Sequence, residues 1–344
     1  MYSLQNQKDE LNRILNEQFQ LPPSFEGLES FNAPISVIWE LTGKCASKCV
    51  YCSGGFPRIV TEMTRDEKVK LANELVSMKV FMVNLSGGDP MMSDDLDEIV
   101  EIFTSNDVNV MICTTGHCQD IDQIRRLCSN PLVAFNISID SLDEEVNDWV
   151  RGKGSARAAL SLLEKISSYS QGQTFVSIES VITRKNLFNF SDIVKLVEKY
   201  HIHEIRFQPV IVTNRTIIEK QLDITEEEII AVKREIEELN KKRPQILPWI
   251  RFVDISRTLR NGYPNKLNWG AIITPEADLL LNVYIPFRFG NLRDFDSFSD
   301  AWNKILKNAW KNQVIEREMK LINNIQDIRK LNEKYGFNKV NLYV

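Results

Sequence analysis

Two spacings of apolar residues alternate through the middle of the chain. Short apolar runs at 35–41, 80–85, 108–113, 132–139, 175–182 and 204–210 read as strands. Between them apolar residues recur three and four apart: Leu71, Leu75 and Met78; Leu96, Ile99, Val100 and Phe103; Ile193, Leu196, Val197 and Tyr200. This predicts helices from Thr64 and over 95–105 and 191–200, with others at 119–128 and 155–168. Thr64-Arg65-Asp66-Glu67 and Ser141-Leu142-Asp143-Glu144 each fit a capping box. Six β-α units in a row imply parallel strands with right-handed crossovers, in a barrel-like or a doubly wound sheet. Either arrangement puts a site at the strands' C-terminal ends.

The flanks follow other patterns. Residues 1–34 predict a helix, with Leu4, Leu11, Ile14, Leu15 and Phe19 on one face, then a connector at Leu21-Pro22-Pro23. After Thr213 an amphipathic helix is expected over 225–242, ended by Arg243-Pro244-Gln245. A hairpin over 270–285 turning at 275–278, helices at 299–310 and 314–331, and a strand alternating Val340, Leu342 and Val344 complete the chain. The expected divisions are 1–34, 35–215 and 216–344.

Composition narrows the class. The chain has 344 residues, 43% hydrophobic and 26% charged, the profile of a soluble globular protein. A net charge of -5 without a basic block argues against nucleic acid as a partner. No apolar run is long enough to span a membrane, and the polar first 19 residues are not a secretion signal. Six cysteines without such a signal point to a reducing compartment, so a cytoplasmic location is expected.

The densest chemistry is the C-x3-C-x2-C loop of Cys45, Cys49 and Cys52, directly after the first strand. Three thiolates satisfy three irons of a cubane and leave a fourth iron open. Zinc with a fourth ligand from elsewhere, or cysteines that bind nothing, are the other readings. Gly87-Gly88-Asp89-Pro90 follows the second strand, and its glycines let backbone approach a ligand closely. Thr114-Thr115-Gly116 and Asn136-Ile137-Ser138-Ile139-Asp140 end the next two strands.

The cysteine spacing, with Tyr51 before the last cysteine, resembles the radical S-adenosylmethionine (radical SAM) superfamily. The resemblance extends from Ile35 to about Asn214. It implies a partial (β/α)6 TIM-type barrel with a small α+β C-terminal extension, an α/β fold. It implies one [4Fe-4S] cluster on Cys45, Cys49 and Cys52, with SAM on the open iron. Gly87, Gly88, Asp89 and Pro90 resemble the family's GGEP motif, which binds the SAM amino group; Asp89 stands where Glu is usual. Tyr51 is expected near the cofactor, Ser138 at the ribose or carboxylate, and the backbone of 206–210 beside adenine. Arg151-Gly152 resembles a segment of peptide-modifying members, so Arg151 pairs the SAM carboxylate or is a surface arginine at a helix start.

Cys113 and Cys118 flank the end of the third strand. Either is a candidate hydrogen-atom donor to a substrate radical, or simply a buried small residue. His117 is a candidate base or a loop histidine, and Cys128 has no assigned role. Gly270, the turn at 274–278, Gly290-Asn291-Leu292 and Trp302 resemble a SPASM or twitch domain. That module's cluster cysteines are missing, because no cysteine follows Cys128. The expectation is a cluster-free cover over the barrel's open end and a redox-neutral reaction. The implied partners are an external electron donor such as flavodoxin or ferredoxin, and a peptide or small-molecule substrate. The N-terminal segment is shorter than the separate leader-binding domain of many peptide maturases.

Overall fold

The computed structural model describes residues 28–54, 61–170, 172–242, 249–261 and 266–343. The expected N-terminal helix, the Arg243-Pro244-Gln245 stop and Val344 lie outside them. Seven parallel strands follow one another in chain order: β1 (Ser36–Thr42), β2 (Met82–Gly87), β3 (Asn109–Thr114), β4 (Val133–Ser138), β5 (Phe175–Ile182), β6 (Glu204–Pro209) and β7 (Trp249–Phe252). The apolar runs place the first six. Trp249–Phe252, beyond the recognised pattern, adds the seventh beside β6.

The chain then returns to the opposite edge. β8 (Gly270–Ile273) pairs in parallel with β1, and β9 (Asp278–Leu280) folds back on β8 as the expected hairpin. β10 (Phe287–Asn291) and β11 (Val340–Asn341) extend that edge. Among the described residues β7 and β11 are the free ends of an 11-stranded sheet, so the barrel is partial and not closed. The last third of the chain therefore lengthens the sheet at both edges.

The two faces of the sheet differ in kind. Val83 and Leu85, Val110 and Ile112, Phe135 and Ile137, Val176 and Ile178, and Ile205 and Phe207 are buried in the main core. Side chains alternate across a strand. The other face of the same strands thus carries Asn84 and Ser86, Cys113, Asn136 and Ser138, Ser177 and Glu179, and Glu204, Arg206 and Gln208. A barrel interior is ordinarily packed with branched apolar side chains; this one is polar and leaves room.

Helix boundaries depart from expectation where a better cap lies nearby. Thr64 caps Arg65–Ser77 in a full capping box with Glu67. Ser141 does not cap: Asp143 accepts from the Glu145 and Val146 amides, and the helix is Glu144–Arg151. Expected helix 314–331 is two, Gln313–Met319 and Ile325–Lys334, because Asn324 caps a new start. Segments 191–200 and 299–310 each combine a short α-helix with a 3-10 stretch.

Candidate cofactor site

From Thr42 the chain passes through Gly43-Lys44 into the cysteine loop, which is held by backbone on two sides. Gly88 N donates to Thr42 O at 2.7 Å and Asp89 N donates to Lys44 O at 2.8 Å. A Cβ on Gly88 would lie 2.2 Å from Lys44 O, so only glycine permits this approach. Gly87 sits at φ 115°, and its Cβ would lie 2.5 Å from Thr42 O. On the other side Lys48 N donates to Arg151 O at 2.8 Å and Val50 N to Val150 O at 2.9 Å. The end of helix Glu144–Arg151 thereby fixes the loop's far half.

The loop opens onto a cavity of about 240 Å³ at the strands' C-terminal ends. Cys45, Cys49, Cys52, Tyr51, Gly87 and Gly88 line one side; Ser138, Glu179, Gln208 and Tyr284 are among those lining the rest. Burial pushes the Cys45 thiol up to about 11 and the Cys49 thiol to about 12, with the Arg151 charge opposing the rise at both. Among the described residues no three His, Cys, Asp or Glu side chains converge as one metal ion requires.

A buried carboxylate organises the wall behind the loop. Asp140 is fully buried and takes Tyr51 Oη at 2.5 Å, Arg151 Nη2 at 2.9 Å and Val181 N at 2.8 Å. Arg151 Nε lies 2.9 Å from its other oxygen. Asn186 Nδ2 donates to the Asp140 carbonyl at 2.7 Å. One side chain thus joins the cysteine loop, helix Glu144–Arg151 and β5. Burial raises the Tyr51 pKa well above its usual value; Arg151, held by Asp140 despite its own burial, stays charged.

The predicted residues sort into three groups. Cys45, Cys49, Cys52, Tyr51, Gly87, Gly88, Ser138, Arg151 and Cys113 share the cavity. Arg151 corrects the surface reading: it ends its helix, is 5% exposed and is paired. Asp89 and Pro90 are buried behind the glycines. The Asp89 carboxylate is filled by Thr114 Oγ1 at 2.8 Å, Thr115 N at 3.0 Å, Thr115 Oγ1 at 2.7 Å and Met91 N at 3.1 Å. It ties β2 to β3 rather than facing a ligand.

Cys118 is the third group, with Cys128 and His117. Cys118 and Cys128 pack against the hydrophobic core. Cys118 lies 3.7 Å from Gln123 Oε1 and is not a cavity residue, which removes it as a hydrogen-atom donor. His117 Nδ1 lies 3.0 Å from Thr115 Oγ1 and 3.4 Å from Ser47 Oγ, bracing the loop from behind. Sequence reasoning missed Asp140 as a hub, and Glu179 and Tyr284 as cavity walls. The signal for Glu179 was present as the one charged residue within the fifth strand.

Comparison with known proteins bears on the stretch that carries this site. Residues 39–197 match the model of the Radical SAM superfamily. This stretch of the chain is a radical SAM domain. The mycofactocin maturase MftC of Mycolicibacterium smegmatis is 35% identical over 187 residues, covering 54% of this chain and 45% of that protein. An AdoMet-dependent heme synthase of Methanosarcina barkeri is 28% identical over 182 residues, 50% of each chain. The matched region thus spans about half the length of these curated relatives. Streptococcus suis SuiB bound to S-adenosylmethionine superposes with a TM-score of 0.70 at 12% identity, over 90% of this chain and 78% of that one. A second SuiB structure, bound to precursor peptide SuiA, gives 0.61 at 12% identity, over 91% and 70%.

The radical SAM family uses a [4Fe-4S] cluster and SAM, and the residues here fit both. The cavity's thiol donors are the three loop cysteines and, on β3, Cys113. An all-sulfur set of three on one loop is iron–sulfur chemistry, with one corner left for a non-protein ligand. Beside it the Gly87-Gly88 backbone has no Cβ to fill the space.

Proposed function

We propose that the chain binds one [4Fe-4S] cluster on Cys45, Cys49 and Cys52, cleaves SAM reductively and modifies a peptide. The observation that carries this is the shared cavity of the three thiols, the two glycines and Ser138. When bound, the cluster supplies the electron that splits SAM, and the resulting 5′-deoxyadenosyl radical removes a substrate hydrogen.

The chain's own residues hold and orient. The Gly87-Gly88 backbone makes room for the methionine end of SAM, and Ser138 offers a hydroxyl to its ribose or carboxylate. Arg151, already committed to Asp140, places a fixed positive charge beside the SAM carboxylate. Tyr51 and Arg151, both bonded to Asp140, together lock the loop that would hold the cluster. Cys113 lines the same cavity with its thiol pushed up to about 11 by burial, so it keeps its hydrogen at neutral pH. That suits a donor to a substrate radical. With no cysteine after Cys128 to carry a second cluster, a redox-neutral outcome is the better reading.

The peptide reading rests on the maturase relatives and on SuiB, one structure of which is bound to precursor peptide SuiA. A second reading, radical modification of a small metabolite such as a nucleoside or sugar, is supported by the similarity to the heme synthase. The C-terminal segment is proposed as a SPASM-like element without its cluster. An external one-electron donor such as flavodoxin or ferredoxin would reach the loop where Lys48, Ser53 and Gly54 are exposed. No helix among the described residues is long and apolar enough to cross a membrane; a cytoplasmic location is part of the proposal.

Anaerobic reconstitution tests the core claim. The expected result is about four irons and four sulfides per chain, with 5′-deoxyadenosine formed from SAM under dithionite. Cys49→Ala should lose both. Zinc or no metal in anaerobically purified protein, with SAM left intact, would sink it.

A further inference from the structure

The strand residues that line the cavity form a built array with an unused acceptor. Glu179 lies on β5, beside Ser138 in register on one side and Arg206 on the other. Asn136 Nδ2 donates to Glu179 Oε2 at 3.1 Å, and Arg206 Nη2 pairs with that same Oε2. Among the described residues nothing donates to Oε1, although Glu179 lines the cavity. The Glu179 side chain is 21% exposed, so Oε1 is open to the cavity and to a ligand's donor in place of solvent.

A second acceptor stands beside it. Tyr284, also lining the cavity, gives its phenol proton to Gln208 Oε1 at 3.1 Å. Its oxygen lone pairs are then free to accept. Glu179 is close enough to influence the Tyr284 phenol, which burial raises to about 12. The phenol therefore stays neutral, and the wall presents two acceptors.

The charge of the layer selects the kind of donor. Glu179 and Glu204 are balanced by Arg206 and Arg251, with Arg206 near both carboxylates and Arg251 paired to Glu204. A substrate cation would add an uncompensated charge to a neutral, half-buried layer. A neutral N–H would not.

We propose that Glu179 Oε1 and Tyr284 Oη form the substrate-anchoring wall of the cavity and take a neutral amide N–H, as presented by a peptide backbone or carboxamide. This deepens the peptide reading and rests on it. It makes Glu179 a specificity-determining residue, facing the cofactor-binding side across the space where a substrate C–H must lie.

The variant Glu179→Gln is sharply diagnostic. Asn136 and Arg206 both donate to the inner position, so they hold the carboxamide oxygen there and turn its NH2 outward. The cavity-facing acceptor becomes a donor. The probe is a blocked dipeptide amide, N-acetyl-glycyl-glycinamide, added to anaerobic holoenzyme with SAM. Its binding is measured by calorimetry, and its position in crystals soaked with it.

The expected density places an amide nitrogen on Glu179 and Tyr284. Glu179→Gln should weaken the probe roughly tenfold or more, the scale of one mispaired buried hydrogen bond, with SAM affinity falling less. The proposal is overturned if the probe is absent from this wall in the wild type, or turns its carbonyl to Glu179. It is overturned equally if SAM occupies Glu179, or if Glu179→Gln weakens SAM as much as the probe. None of these readouts needs turnover, so a wild type that fails to cleave SAM would count against the proposed function instead.

Discussion

Asp140 shows how much of the site can depend on one side chain that no ligand touches. Its two oxygens hold Tyr51 of the loop, Arg151 of the helix and the Val181 amide of β5. Removing its charge leaves the Arg151 guanidinium, 6% exposed, without its counterion. Breaking a buried pair of this kind costs about 3–5 kcal/mol. Asp140→Asn should therefore lower the thermal midpoint markedly and speed iron loss to a chelator from reconstituted protein. Tyr51→Phe removes one hydrogen bond and leaves the ion pair, so about 1 kcal/mol is expected. Equal damage from the two would refute Asp140 as the hub, because Tyr51 would then contribute on its own. Gly88→Ala has a different origin: its Cβ would meet Lys44 O at 2.2 Å. Backbone must move there, so weakened SAM binding should accompany a smaller loss of stability, readable by SAM calorimetry and thermal melts. The glycine pair and the cysteines are legible in sequence because their spacing is local. The Asp140 hub is not, since Tyr51 and Val181 lie 89 and 41 residues from it.

At the scale of elements, alternation carried more than the apolar runs alone convey. Asn136-Ile137-Ser138, Ser177-Ile178-Glu179 and Glu204-Ile205-Arg206-Phe207-Gln208 each set an apolar residue toward the helices and a polar one inward. Read as apolar runs they give six strands correctly; read with period two they also give a polar barrel interior. Capping was legible where the acceptor was local and unrivalled, as at Thr64. It failed at Ser141 because Asp143 is the stronger acceptor two residues on. Helix Arg65–Ser77 also supports a contact that sequence could not show: Glu67 pairs with Arg293, 226 residues away. That pair holds the Glu67 carboxyl down to about 2, Arg293 being the main cause. A depressed acid stabilises the fold above its unfolded value near 4.5 and loses that contribution as pH falls toward 2. Glu67→Gln keeps the capping pattern and removes the pair. The wild-type advantage in thermal midpoint should be present at pH 6 and shrink steadily below pH 4.5. It should stay under about 1 kcal/mol, because Glu67 is one-third exposed. An advantage independent of pH would rule the pair out as its source.

At the scale of the whole molecule, a C-terminal helix bridges the end of β6 and the loop between β9 and β10, and that junction sets where Tyr284 stands. Gly270 lets β8 lie against β1, where a Cβ would come within 2.3 Å of Ser36 O. Trp302 Nε1 donates to Phe31 O at 3.0 Å, fixing the C-terminal helices to the chain ahead of β1. The loop between β9 and β10 then brings Tyr284 over the cavity, held from behind by its backbone. Asn332 Nδ2, on helix Ile325–Lys334, donates to Tyr284 O at 2.9 Å and to Val212 O at 3.1 Å. Lys339 Nζ donates to Val283 O at 2.9 Å and Ile285 O at 2.7 Å. One buried amide therefore couples the end of β6 to the Tyr284 loop. Asn332→Ala leaves two carbonyls without that donor, at about 1–3 kcal/mol for each one that stays dry. Opening should be local, since the strands of the radical SAM domain keep every contact of their own. Amide exchange is thus expected to quicken at 282–286 and 211–213 while β2, β3 and β4 are unchanged. Affinity for the blocked dipeptide amide should fall, although the substitution touches neither Glu179 nor the Tyr284 ring. Uniformly faster exchange across the sheet would mean that Asn332 supports global stability alone, and that the C-terminal segment does not position the cavity wall.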